Sequence, residues 1–123
     1  GGRWLRSAEV LINSSQSSFQ GCFVHLDVAE RRMFLQSDTQ ANAFIGPSEL
    51  TSGRNLENSQ CRVYPMFASV KVHSYSVTWS IPVSFRKPFA GQKRIFLHAV
   101  DVDGRETSWE EKGAWMARNG DQP

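Results

Sequence analysis

Apolar and polar residues alternate with a period of two in several short runs, the signature of strands with one buried face. In Cys22-Phe23-Val24-His25-Leu26-Asp27-Val28, the set Cys22, Val24, Leu26 and Val28 falls on one side and Phe23, His25 and Asp27 on the other. Ala29-Glu30-Arg31 then makes a turn into Met33-Phe34-Leu35, so the two runs read as a hairpin. Before them, Ala8 to Ile12 is an extended apolar stretch that runs into the polar loop Asn13-Ser14-Ser15-Gln16-Ser17-Ser18. Further on, residues 37–55 are rich in Ser, Thr, Asn and Gly, and Phe44-Ile45-Gly46-Pro47 predicts an irregular or edge strand there.

The second half of the chain repeats the pattern. Asn58 to Tyr64 is extended and stops at Pro65, and Ser69 to His73 pairs Val70 with Val72 on one face. Val77, Trp79, Ile81, Val83 and Phe85 alternate with Thr78, Ser80, Pro82 and Ser84, which predicts one long strand with an edge position or a bulge at Pro82. Arg94 to Asp101 resumes strand character, Asp103-Gly104 supplies a turn, and Trp109 to Ala117 returns to pair with it. Almost no helix is expected. Short strands at near-regular spacing predict an all-β, antiparallel sandwich of about seven to nine strands.

The chain has 123 residues, enough for one core of ordinary size, so residues 1–123 read as a single domain, its core about 7–117 and its polar tail 118–123. Hydrophobic residues make up 40% and charged residues 21%, which is the composition of a folded domain. No apolar run approaches the roughly 20 residues of a spanning helix, so no membrane span is expected. Fourteen basic against twelve acidic residues leave a net charge of only +2, too little for a phosphate-binding stripe, and nucleic acid is excluded as a partner.

Candidate chemistry is sparse. Cys22 and Cys61 lie 39 positions apart in two extended runs, without a metal-type spacing; a disulfide and a pair of buried thiols both fit. None of His25, His73 and His98 sits in a nucleophile motif, so no catalytic residue is assigned and no enzyme is expected. Phe23-x-His25 and Phe96-x-His98 place four rings on outward positions. If their strands share a sheet, Phe23, His25, Phe96 and His98 line one outer face, either as a docking surface or beneath residues 37–53 as a small satellite core. No carboxylate or cysteine stands at ligand spacing from the histidines, so no metal or other cofactor is assigned to them.

Asp101-Val102-Asp103-Gly104 resembles the opening of a calcium loop, but Glu106, Glu110 and Glu111 fall at the wrong distances to close one, and turn chemistry accounts for Asp101 and Asp103 equally well. Exposed tryptophans stack on sugars in many sandwiches. Trp79 belongs to the apolar stripe and is read as core, which leaves Trp4, Trp109 and Trp115 as the candidates for a polysaccharide site. Asn13-Ser14-Ser15 matches a glycosylation sequon that arises often by chance.

The stretches Val10-Leu11-Ile12-Asn13-Ser14-Ser15, Gly21-Cys22-Phe23-Val24, Leu56-Glu57-Asn58-Ser59-Gln60-Cys61, Phe89-Ala90-Gly91-Gln92-Lys93 and Ala99-Val100-Asp101-Val102-Asp103-Gly104, followed by Ser108-Trp109 and Gly113-Ala114-Trp115, occur in that order. Together they resemble an immunoglobulin-like or fibronectin-like β-sandwich module, often tandem, of large secreted and surface proteins of bacteria. The resemblance implies a bridge between Cys22 and Cys61 and an extracellular, cell-surface or periplasmic location. It implies a structural role with a protein partner or neighbouring domains: scaffold, spacer or accessory subunit. A carbohydrate-binding module is the alternative. The chain is richer in Arg, Lys and aromatic residues than such modules, which points to a surface adapted to a particular partner.

Overall fold

A computed structural model describes residues 5–15, 21–37, 43–72, 77–86, 91–101, 103–105 and 110–117. The elements in chain order are β1 (Leu5–Asn13), β2 (Cys22–Asp27), β3 (Arg32–Gln36), β4 (Phe44–Glu49), β5 (Leu56–Glu57), β6 (Cys61–Val63), a one-turn 3-10 helix (Pro65–Phe67), β7 (Ser69–Val72), β8 (Val77–Ser80), β9 (Val83–Phe85), β10 (Gly91–Asp101) and β11 (Glu110–Ala117). The fold is all-β and every strand pairing among the described residues is antiparallel. A six-stranded sheet runs β11-β10-β1-β2-β3-β4, and two smaller sheets, β5-β6-β9 and β7-β8, complete the fold.

The alternation in the sequence explains which face is covered. Along β2, Cys22, Val24 and Leu26 are fully buried while Phe23, His25 and Asp27 are only partly so. The buried set joins Val10, Ile12, Met33 and Leu35 from the same sheet in one core. Leu56, Val63 and Phe85 from the three-stranded sheet and Val70 from the two-stranded sheet close that core from the other side. Each fully buried side chain of this kind stabilises the fold by about 1.5–3 kcal/mol relative to exposure. Trp79 packs against the same core from β8.

Covalent and polar ties join the layers. Cys22 on β2 and Cys61 on β6 form a disulfide with their Cα atoms 5.8 Å apart, which settles the choice between bridge and free thiols. Beside it, the buried Asn58 donates from Nδ2 to the carbonyls of Gly21 (3.2 Å) and Gln36 (3.0 Å), and its Oδ1 accepts the N–H groups of Gln60 (2.8 Å) and Cys61 (2.9 Å). Both donors and the acceptor of the amide are thereby used.

Three details refine the sequence reading. The run from Val77 to Phe85 is not one strand: it breaks at Ile81-Pro82, so that β8 pairs with β7 while β9 pairs with β6 at the edge of the three-stranded sheet. Proline has no N–H for a ladder, and here its carbonyl accepts the N–H of Tyr64 at 3.1 Å. β4 is the edge strand of the six-stranded sheet, where Pro47 is tolerated. With such breaks the described strands number eleven, more than the seven to nine expected.

Among the described residues, no helix is long and apolar enough to cross a membrane.

Candidate functional site

The outer face of the six-stranded sheet, turned away from the core, collects the chemistry. β1 is its organiser, because β2 and β10 both pair with it. In register, Glu9 stands opposite His25 on one side and His98 on the other, and Leu11 stands opposite Phe23 and Phe96. Period two then puts all six side chains on the same face, in two rows across three strands. Phe23, His25, Phe96 and His98 thus fall on one face of the sheet.

Exposure divides that face. Phe96 (5% exposed) and Leu11 (3%) are buried although they lie outside the main core. Of the two readings of this face, open docking surface or covered satellite core, the burial of Phe96 and Leu11 fits the covered one at that half. The open half lies toward β4. His25 stands opposite Phe34 on β3, and Phe44 on β4 follows. The rings of Phe23 and Phe44 meet edge to face with centroids 5.7 Å apart, His25 and Phe34 do so at 5.7 Å, and Phe34 and Phe44 at 6.4 Å. The guanidinium of Arg32 lies 5.8 Å from the Phe34 ring centroid, and Phe44 is 40% exposed.

At the border between the two halves, one carboxylate serves two imidazoles. Glu9 Oε2 is 3.0 Å from His25 Nδ1, and Glu9 Oε1 is 2.9 Å from His98 Nδ1. Burial pushes the Glu9 carboxyl up, but the hydrogen bonds from His25 and His98, joined by their charges, outweigh it and hold it below its ordinary value of 4.5. An ionised carboxylate only accepts, so each imidazole donates to it from Nδ1. Sequence spacing offered these histidines no carboxylate; the fold supplies Glu9. Among the described residues no group of three His, Cys, Asp or Glu side chains is placed to hold a metal ion.

The Asp101 turn is built from the backbone. Asp101 Oδ1 accepts the N–H groups of Asp103 and Arg105, each at 2.9 Å, and the Asp101 N–H donates to the Arg105 carbonyl at 2.9 Å. The Arg105 N–H holds the carboxyl below its ordinary value of 3.8 against desolvation, with Asp103 adding to the effect. This oxygen closes a turn, which is the chemistry that competes with the calcium reading of Asp101 and Asp103.

Trp4 and Trp109 lie outside the described residues. The backbone of Trp115 stands opposite Lys93 on β10, and its side chain also lies outside the description. Asn13 of the sequon is buried at 7% exposure, and its Oδ1 accepts the Ser14 N–H at 2.9 Å.

Phe34, Phe44 and Glu9 are the site residues that sequence reasoning missed. Phe34 carried a signal, since it alternates with Met33 and Leu35, both fully buried. Phe44 carried only its place in an apolar insertion. Comparison of the chain with protein-family models, with curated proteins and with solved structures found no match.

Proposed function

We propose that the chain is a non-enzymatic structural or protein-interaction module of an extracytoplasmic assembly, a scaffold, spacer or accessory subunit that docks through the outer face of its six-stranded sheet. The observation that carries this reading is the ring cluster of Phe23, His25, Phe34 and Phe44, packed on a face opposite the core and open at Phe44. Aromatic clusters left at a surface mark contact sites more often than they mark chance.

Two further features support the setting. The disulfide fits an oxidising compartment, and a bridge closing 39 residues suits a small exported domain. Both thiols are spent in the bridge and both Nδ1 atoms on Glu9, an arrangement that favours a surface role over nucleophilic catalysis. Membership of the chain among bacterial immunoglobulin-like sandwich modules is part of this proposal, and the antiparallel sheets and the bridge between layers support it. Its strand order is its own: β1 to β4 are consecutive neighbours, where the immunoglobulin order divides successive strands between two sheets.

The experiment is Phe44→Glu. The position is exposed, so the variant is expected to unfold at the wild-type denaturant concentration while losing its place in the assembly of the producing cell, read by co-purification of the tagged chain. Normal assembly of a folded Phe44→Glu chain contradicts the reading.

A further inference from the structure

The three-stranded sheet carries a second polar face, on the layer opposite the ring cluster. Leu56, Cys61, Val63 and Phe85 belong to the core. The alternate residues Glu57, Arg62 and Ser84 stand opposite one another in register and lie on the face turned outward. Arg62 lays its Nε–Nη2 edge on the Glu57 carboxylate at 3.1 to 3.3 Å. Arg86, whose backbone N–H donates to the Gln60 carbonyl at 2.9 Å, brings Nη1 to the same carboxylate. The side chains of Glu57, Arg62 and Arg86 are 36%, 43% and 46% exposed, so a solute can reach all three.

Two guanidiniums on one carboxylate leave one positive charge in excess. They also leave two donor forks: the Nη1–Nη2 edge of Arg62 and the Nε–Nη2 edge of Arg86 carry N–H groups that have no partner among the described residues. Such a planar fork matches the two oxygens of a carboxylate. On the same face, the Tyr64 hydroxyl meets the buried Ser84 hydroxyl at 2.9 Å, and Ser84 stands opposite Arg62. That bond uses one hydroxyl proton, so the pair keeps the other proton and free lone pairs. We propose that this face binds the uronate units of an acidic polysaccharide, the sugar carboxylate on the free forks of Arg62 and Arg86 and a ring hydroxyl on the Tyr64–Ser84 pair. The site is separate from the docking face and does not depend on it.

The charges around the forks favour an anion. Glu57 is the only acid in β5, β6 and β9, and the exposed Arg54, just before β5, adds a third cation. Glu57 both positions the guanidiniums and competes with the ligand for them. The hydroxyl pair separates a sugar acid from an acidic peptide. A uronate offers a carboxylate and ring hydroxyls together, whereas a glutamate side chain offers the carboxylate alone.

The test is titration of the oxidised chain with an oligogalacturonate, its methyl ester and an oligoglutamate, followed by 1H–15N spectra that include the arginine Nε–H groups. The oligogalacturonate is expected to shift the Nε–H signals of Arg62 and Arg86 and the amides of β6 and β9, less so as salt is added. The ester keeps the ring and loses the charge, and the oligoglutamate keeps the charge and lacks the ring; each is expected to bind at least about tenfold more weakly. Arg62→Gln is expected to weaken the oligogalacturonate by about the same factor. Glu57→Gln removes the competitor and is expected to bind it more tightly, a gain that a merely structural ion pair does not give. Unmoved Nε–H signals, an ester or oligoglutamate that binds as tightly as the oligogalacturonate, or a folded Glu57→Gln chain without that gain would each overturn the proposal. The wild-type titrations need no variant, so a substitution that unfolds the sheet leaves the test standing. They are made on the isolated chain, and their failure is separate from the assembly defect that Phe44→Glu tests.

Discussion

Cys61 donates its backbone N–H to Oδ1 of Asn58 at 2.9 Å, so the covalent tie between the layers and the polar tie share one turn. Asn58 also reaches back to the carbonyls of Gly21 and Gln36 on the opposite layer. Removing the amide leaves two buried carbonyls and two N–H groups without their partner. Asn58→Ala is therefore expected to lower stability by roughly 3 kcal/mol, at the upper end for a polar deletion. Urea denaturation of the oxidised chain checks it, and a loss below about 1 kcal/mol contradicts the assignment.

Replacing the bridge tests the other tie. The 39-residue separation predicts a loss of about 4 kcal/mol for the Cys22→Ala, Cys61→Ala double variant, from loop-closure entropy regained by the unfolded chain. The loss is read from the same denaturation curves. Masses taken with and without reductant after alkylation verify that the wild-type chain carries the bridge.

The chain passes close over the end of β4 at Gly53, whose N–H donates to the Glu49 carbonyl at 2.8 Å. A Cβ built there would lie 2.6 Å from that oxygen and 2.5 Å from the Glu49 nitrogen, both backbone atoms that cannot swing aside. Gly53→Ala is expected to cost at least about 2 kcal/mol and to lower the melting temperature by several degrees. A variant as stable as the wild type places this loop elsewhere.

Acid stability follows from Glu9. Its carboxyl lies below the ordinary value of 4.5 in the folded state, so its contribution is complete above that value and is lost as pH falls through the folded one. In that window the unfolded chain takes up the proton first. Wild-type stability should fall with decreasing pH below about 4.5, and Glu9→Gln should fall less steeply over the same range. Denaturation midpoints at a series of pH values measure both slopes, and equal slopes contradict the argument.

How far the residues alone revealed this depends on how local the cause is. β2 was legible because Cys22, Val24 and Leu26 alternate strictly and each side chain's face follows from its position. The break at Pro82 was half legible: a missing N–H forbids a central ladder, but which sheets the two pieces join depends on β6 and β7. Glu9 was not legible. It meets His25 and His98 across 16 and 89 positions only because two strands flank β1 in one register, and no spacing rule encodes that. Phe44 enters the ring cluster through a register shift between Met33 and Leu35 in the β3–β4 pairing, which pattern alone does not place. The burial of Phe96 was hidden for a related reason, since alternation assigns a face without saying what lies above it.

The most direct measurement of the docking claim is site-specific photocrosslinking in the producing cell. A benzophenone side chain is introduced at position 44 in one chain and, as a control on another sheet, at the exposed position 71 of β7 in a second. The account predicts one discrete protein adduct from position 44 and none from position 71. No adduct from position 44, or the same adducts from both, would contradict it.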